Sequence, residues 1–193
     1  MSMLPFWTAL SGSGAAGRVP DHDKVGRTMA TTELVSVEEY LHSSFEYDAE
    51  YVEGRIVQRS MPKKPHSKMQ SYLDRTLYQV AHPLGYEIWP EQRIRTQRAP
   101  ARYRVPDLCV TEGEPTEDVF TDPPFLCVEI LSPGDPAVEV WAKVREYLAF
   151  GVAYVWIVDP DTGTGEIHSA EGTERVETGR FRAGEIEVQL EEL

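Results

Sequence analysis

The sequence predicts an α/β domain built on a mixed central β-sheet flanked by α-helices, and three observations predict it. Ala153-Tyr154-Val155-Trp156-Ile157-Val158 is a near-continuous apolar run, the mark of a central strand buried on both faces. Two more strand-like runs, Arg102–Val110 and Phe125–Leu131, are each interrupted by one acid, Asp107 and Glu129. Segments of helical spacing, His66–Ala81 and Ala137–Phe150, flank these strands.

Taken in order, the chain opens with residues 1 to about 31, where an apolar patch (Leu4-Pro5-Phe6-Trp7) precedes a Gly/Ser-rich stretch and a polar one. We read a disordered leader before a domain spanning 32–193, with Met29 as an alternative start. A secretory signal would need a basic start and a longer apolar core. Ser36, with Glu39 three residues on, is a capping-box pattern for a short helix through Leu41. Glu50–Gln58 reads as a strand pair turning near Gly54. Pro62-Lys63-Lys64-Pro65 breaks the chain ahead of the helix from about His66, whose Met69, Tyr72, Leu73, Leu77 and Val80 fall near helical spacing, and Pro83 with Gly85 ends it.

Tyr86–Arg95 and Arg102–Thr111 are the next strands, joined by a loop containing Pro100, with neither acid placed at a turn. The Glu129 strand stops at Ser132-Pro133-Gly134-Asp135-Pro136. In the helix that follows, Val140, Trp141, Val144, Tyr147 and Leu148 share one arc, and Gly151 stands at the expected C-terminal position. Asp159–Gly163 turns the central strand into a hairpin with Gly165–Ser169, and Arg175–Leu190 holds one or two short strands.

Composition narrows the function. The 193 residues include 32 acidic and 19 basic ones, a formal charge of -13, which disfavours non-specific nucleic-acid binding and requires any phosphate contact to be local. No stretch approaches the roughly 20 apolar residues that span a bilayer. Two cysteines are too few for a disulfide framework or a four-cysteine zinc site; as reduced, buried thiols they suit the cytoplasm.

The two strand acids carry the chemistry. An ionised carboxylate taken out of water without a partner costs several kcal/mol, so each is protonated, paired, or facing a cation. Strand periodicity puts Val105, Asp107 and Cys109 on one face, and Cys127, Glu129 and Leu131 on one face. Neighbouring strands would bring both carboxylates to one point, and two oxygen donors there suit a hard divalent cation such as Mg²⁺. Lys143, at the border of its helix's apolar arc, can reach toward the sheet.

The order of these pieces resembles the PD-(D/E)XK nuclease superfamily and, within it, the Uma-type restriction-endonuclease-like group. The matching pieces are Glu50–Val57, Pro65-His66, Trp89-Pro90-Glu91, Val105-Pro106-Asp107, Val128–Pro133, Lys143–Tyr147 and Gly151–Pro160. The superfamily's lysine would stand two residues after the glutamate, where this chain has Leu131; in this group the following helix supplies it, which points to Lys143.

The resemblance implies a restriction-endonuclease-like fold and metal-dependent hydrolysis of DNA phosphodiesters. Asp107, Glu129 and the Ile130 carbonyl would bind Mg²⁺ or Mn²⁺, and Lys143 would orient the attacking water. Glu50 and Glu91 match acidic positions of the group, either lining the site, holding a second metal through water, or standing as solvated strand ends. His66 caps its helix or touches a phosphate. Arg93, Arg95, Arg98, Arg102 and Arg104, with Lys63, Lys64 and Lys68 around His66, form a basic cluster for the DNA backbone or a charged hairpin edge. A homodimer is expected by analogy. Two other readings stay open: a silent interaction or nucleic-acid-binding module, and a hydrolase of smaller phosphoesters.

Overall fold

The computed structural model describes residues 34–43 and 49–190. The leader of residues 1–31 and the alternative start at Met29 lie outside the described residues. Helix α1 (Val37–His42) is capped as its sequence predicts, with the Ser36 hydroxyl accepting the Glu39 N–H at 3.1 Å. Strands β1 (Ala49–Val52) and β2 (Arg55–Gln58) form the expected hairpin about Gly54. Helix α2 runs over Lys64–Ala81, two residues earlier than predicted, because Pro65 fits the first helical turn, where its missing N–H costs nothing.

The strand predicted over Tyr86–Arg95 is in fact two, β3 (Tyr86–Pro90) and β4 (Ile94–Gln97), and so is the one over Arg102–Thr111, now β5 (Arg102–Arg104) and β6 (Leu108–Glu112). Pro106 has no N–H to give a ladder, and Glu91 takes a left-handed turn (φ 51°). The two breaks lie side by side, joined by the Glu91 N–H donating to the Asp107 carbonyl at 3.2 Å. Each chain segment thereby crosses from one sheet to another. Asp107 therefore sits in the bend leading into β6, which corrects the mid-strand placement.

The remaining elements are β7 (Leu126–Ile130), α3 (Ala137–Phe150), β8 (Tyr154–Val158), β9 (Gly165–Ser169), β10 (Gly172–Val176), β11 (Arg180–Ala183) and β12 (Ile186–Gln189). The C-terminal stretch thus contributes three strands, because β10 pairs with β9 before a separate β11–β12 hairpin forms. A four-stranded sheet has the order β2-β1-β5-β4 and a six-stranded one β10-β9-β8-β7-β6-β3. The larger sheet is mixed: β7 and β8 are parallel, connected through α3, and their other neighbours antiparallel.

Period-two alternation sorts the larger sheet into two cores. Leu108, Val110, Leu126, Val128, Trp156 and Val158 face α2 and the β11–β12 hairpin. Cys109, Cys127, Val155 and Ile157 face Val144 and Tyr147 of α3. Gly151 ends α3 at φ 112°, where its N–H reaches the Tyr147 and Leu148 carbonyls, both at 3.1 Å. A third cluster, Tyr40, Tyr51 and Tyr103, fixes α1 on the smaller sheet. Among the described residues no helix is long and apolar enough to cross a membrane.

Candidate active site

The pairings Leu108↔Val128 and Cys109↔Cys127 set the register that brings Asp107 opposite Glu129. Glu129 faces Lys143 and Tyr147 of α3 and Asp107 faces His66 of α2, and both line one cleft together with Glu50, His66, Ile130 and Lys143. Directly opposed residues of an antiparallel pair have neighbouring Cβ atoms, so this register alone explains why the acids meet. Glu50 arrives from the other sheet: β1 pairs with β5, whose exit carries the chain on to Asp107.

Each acid is held by named donors. Asp107 Oδ2 accepts the Ile130 N–H at 2.7 Å and lies 3.3 Å from His66 Nε2, while Oδ1 is bonded to the Arg59 guanidinium. Gln70 of α2 donates to the Asp107 carbonyl at 3.1 Å and so fixes the bend. Glu129 accepts the Tyr147 hydroxyl at 2.6 Å on one oxygen and Lys143 Nζ at 3.0 Å on the other. Lys143 Nζ also lies 2.9 Å from Glu50 Oε1, and Glu50 Oε2 takes Arg104 at 2.8 Å. Arg104 continues to Glu146 at 2.7 Å, which in turn binds Arg102 at 3.2 Å and the Thr96 hydroxyl. A buried chain of alternating charge therefore runs from the smaller sheet to Glu129.

Electrostatics divides the acids. Burial pushes the Glu50 carboxyl up, but Lys143 and Arg104 outweigh it and hold it below its ordinary range. Asp107 is likewise lowered: the His66 bond, the Arg59 charge and the Ile130 N–H overcome its burial. Glu129 is raised, because burial and then the charges of Asp107 and Glu50 exceed what Lys143 and the Tyr147 hydroxyl return. Burial would lower Lys143, yet Glu129 and Glu50 hold it well above its usual value. Lys143 is therefore a fixed ammonium, a donor and not a base. Tyr147 is held protonated by burial and by Glu129.

Among the described residues no three or more His, Cys, Asp or Glu side chains form a metal cage. The donor set instead suits a cation that keeps part of its water shell: Mg²⁺ takes one or two carboxylates beside waters and phosphate oxygens. Asp107 and Glu129, with the Ile130 carbonyl beside them, are the groups that would meet that demand.

The arginines are placed otherwise than a phosphate-binding cluster requires. Arg104 is buried and engaged by Glu50 and Glu146, and Arg102 by Glu53 and Glu146. Arg93 covers the Tyr40 ring, its guanidinium carbon 4.7 Å from the centroid. Arg95 lies on β4, outside the residues lining the cleft. Lys63, Lys64 and Lys68 are the exposed cations beside His66. Glu91 lies outside the residues lining the cleft, 3.5 Å from Arg59. Sequence reasoning missed Arg59, Gln70, Glu146 and the polar role of Tyr147. Only the last carried a signal, its hydroxyl lying one helical turn beyond Lys143 on the arc facing Glu129. Because that hydroxyl donates to one oxygen of Glu129, Tyr147→Phe is expected to push the Glu129 carboxyl further above its ordinary range with the fold retained, as measured by carboxyl titration in NMR and by circular dichroism.

Fold and site together define a restriction-endonuclease-like α/β protein with an acidic centre where two sheets meet. The chain belongs to the Uma2 family, described as "Putative restriction endonuclease", whose model matches residues 37–193. Among solved structures it is similar to a "putative nuclease belonging to DUF820" from Anabaena variabilis, with 25% identity and a TM-score of 0.69, covering 80% of this chain and 94% of that one. No curated protein matches it.

Proposed function

We propose that the protein is a divalent-metal-dependent endonuclease that hydrolyses DNA phosphodiester bonds. The observation that carries this reading is the meeting of Asp107 and Glu129 in one cleft with Lys143 Nζ 3.0 Å from Glu129. Asp107, Glu129 and the Ile130 carbonyl would hold Mg²⁺ or Mn²⁺. When bound, such an ion supplies a water of lowered pKa and neutralises charge building on the phosphate.

The chain's own residues do the rest. Lys143, charged and directed by Glu50 and Glu129, donates hydrogen bonds to the attacking water or to a phosphate oxygen. Glu50 acts as its positioning partner, and Arg104 with Glu146 holds Glu50. His66 fixes Asp107 beside the exposed Lys63, Lys64 and Lys68, which give the phosphate backbone a local basic approach despite the overall charge. A cytoplasmic setting, consistent with the two free thiols, and a homodimer complete the proposal.

The test incubates plasmid and single-stranded DNA with Mg²⁺, Mn²⁺ or chelator, using the wild type and Asp107→Asn. Cleavage by the wild type, lost on chelation and in the variant, is the expected result. Binding without cleavage under every metal condition would instead favour a silent binding module, the reading supported by the charge of -13 and the internally engaged arginines.

A further inference from the structure

Arg59 lies in the connection between β2 and α2, and its side chain, 17% exposed, projects into the cleft onto Asp107, whose own side chain is 3% exposed. The neighbouring Ser60 hydroxyl donates to Asp135 Oδ1 at 3.3 Å, which ties this connection to the loop after β7. Asp107 has donors of two kinds. Oδ2 is held by a backbone N–H from β7, which cannot leave without disturbing the sheet, and by the buried side chain of His66 on α2. Among the described residues Oδ1 is held by Arg59 alone, through a long, partly exposed side chain. Glu91 lies within 3.5 Å of the same guanidinium, and Glu129 and Glu50 add to the field that holds it.

We propose that Arg59 is a built-in competitor for the metal: its guanidinium holds the Asp107 oxygen that a divalent cation would take, so binding is an exchange of Arg59 for the ion. This inference rests on the metal-dependent reading above and adds regulation of the same site. The exchange leaves Oδ2 and the backbone in place and requires only the side-chain torsions of Arg59. Two consequences follow. The cleft demands a higher metal concentration than its two carboxylates alone would. The released guanidinium, whose planar fork matches a phosphate as well as a carboxylate, stays beside the substrate path.

Titration calorimetry with Mn²⁺ alone, at pH 7.5 on the full chain, tests this with the wild type, Arg59→Gln and Arg59→Lys. Arg59→Gln is expected to bind Mn²⁺ about tenfold or more tightly than the wild type, the scale of losing one charge-assisted hydrogen bond. Arg59→Lys, which keeps the charge, should stay near the wild type. Thermal melts guard against a merely weakened fold: added Mn²⁺ should raise the Tm of Arg59→Gln by more than that of the wild type. Equal Mn²⁺ affinity in the wild type and Arg59→Gln overturns the competition and leaves the nuclease reading intact, as does an Arg59→Lys variant as tight as Arg59→Gln. Absence of Mn²⁺ binding in all three proteins overturns both.

Discussion

Glu129→Gln is expected to raise the melting temperature at pH 7.5 while reducing plasmid cleavage on the order of 10³-fold or more, the scale of removing one member of a catalytic unit. Burial and the neighbouring charges of Asp107 and Glu50 hold the folded-state pKa of Glu129 above its ordinary value. A carboxyl raised in this way binds its proton more tightly in the folded protein than in the unfolded chain. Its ionisation therefore costs stability, and the cost grows as pH rises from the ordinary glutamate range through the raised value. Glutamine imitates the protonated form and keeps the hydrogen bond from Tyr147. The gain in Tm should shrink toward zero as pH falls to about 4.5, where wild-type Glu129 carries its proton. Paired melts between pH 4.5 and 8, with cleavage assays on the same preparations, read both effects. A Tm that drops at pH 7.5 would show that Lys143 depends on Glu129 more than Glu129 suffers from its surroundings.

The second large effect is structural. Arg104→Met is expected to cost about 3–5 kcal/mol, the range for breaking a buried ion pair from one side. For a domain of this size that is a fall in Tm of roughly 10 °C. Arg104 is the shared partner of Glu50 and Glu146, at 2.8 and 2.7 Å, and all three are buried. Both acids are held below their ordinary range in the native protein, so their contribution is complete at neutral pH and lost as pH falls through the lowered values. Without the guanidinium that dependence should weaken or invert. The triple variant Glu50→Gln, Arg104→Met, Glu146→Gln removes the uncompensated charges and should recover most of the loss. Urea titrations of the single and triple variants measure this. A single variant within about 1 kcal/mol of the wild type would show that water reaches these carboxylates.

Much of this was legible in the sequence because it rests on local pattern. The alternation around Glu129 put it in phase with Cys127, on the face packed against α3, and the helical arc of α3 put Lys143 at its edge, where Nζ does reach the sheet. What the pattern could not reveal is which strands share a sheet. Tyr86–Arg95 and Arg102–Thr111 each read as one strand because periodicity continues through a crossing; only Pro106 hinted at the break. The arginines were misjudged for a related reason. Their clustering in sequence suggested a common outward surface, whereas Glu50 and Glu146, 96 positions apart and neither near Arg104 in the chain, fold onto that residue. Arg59 lies in an irregular connection where no period constrains a side chain's direction.

The seam between the sheets also governs when the centre can exist. Glu50 belongs to one layer and Glu129 to the other, while Lys143 and Tyr147 follow later on α3. A chain emerging from synthesis holds Glu50 and Glu129 before it holds Lys143, the ammonium that joins them. Whatever bond-breaking power the domain has is thus withheld from nascent and half-collapsed forms, and is released only when the last layers have docked.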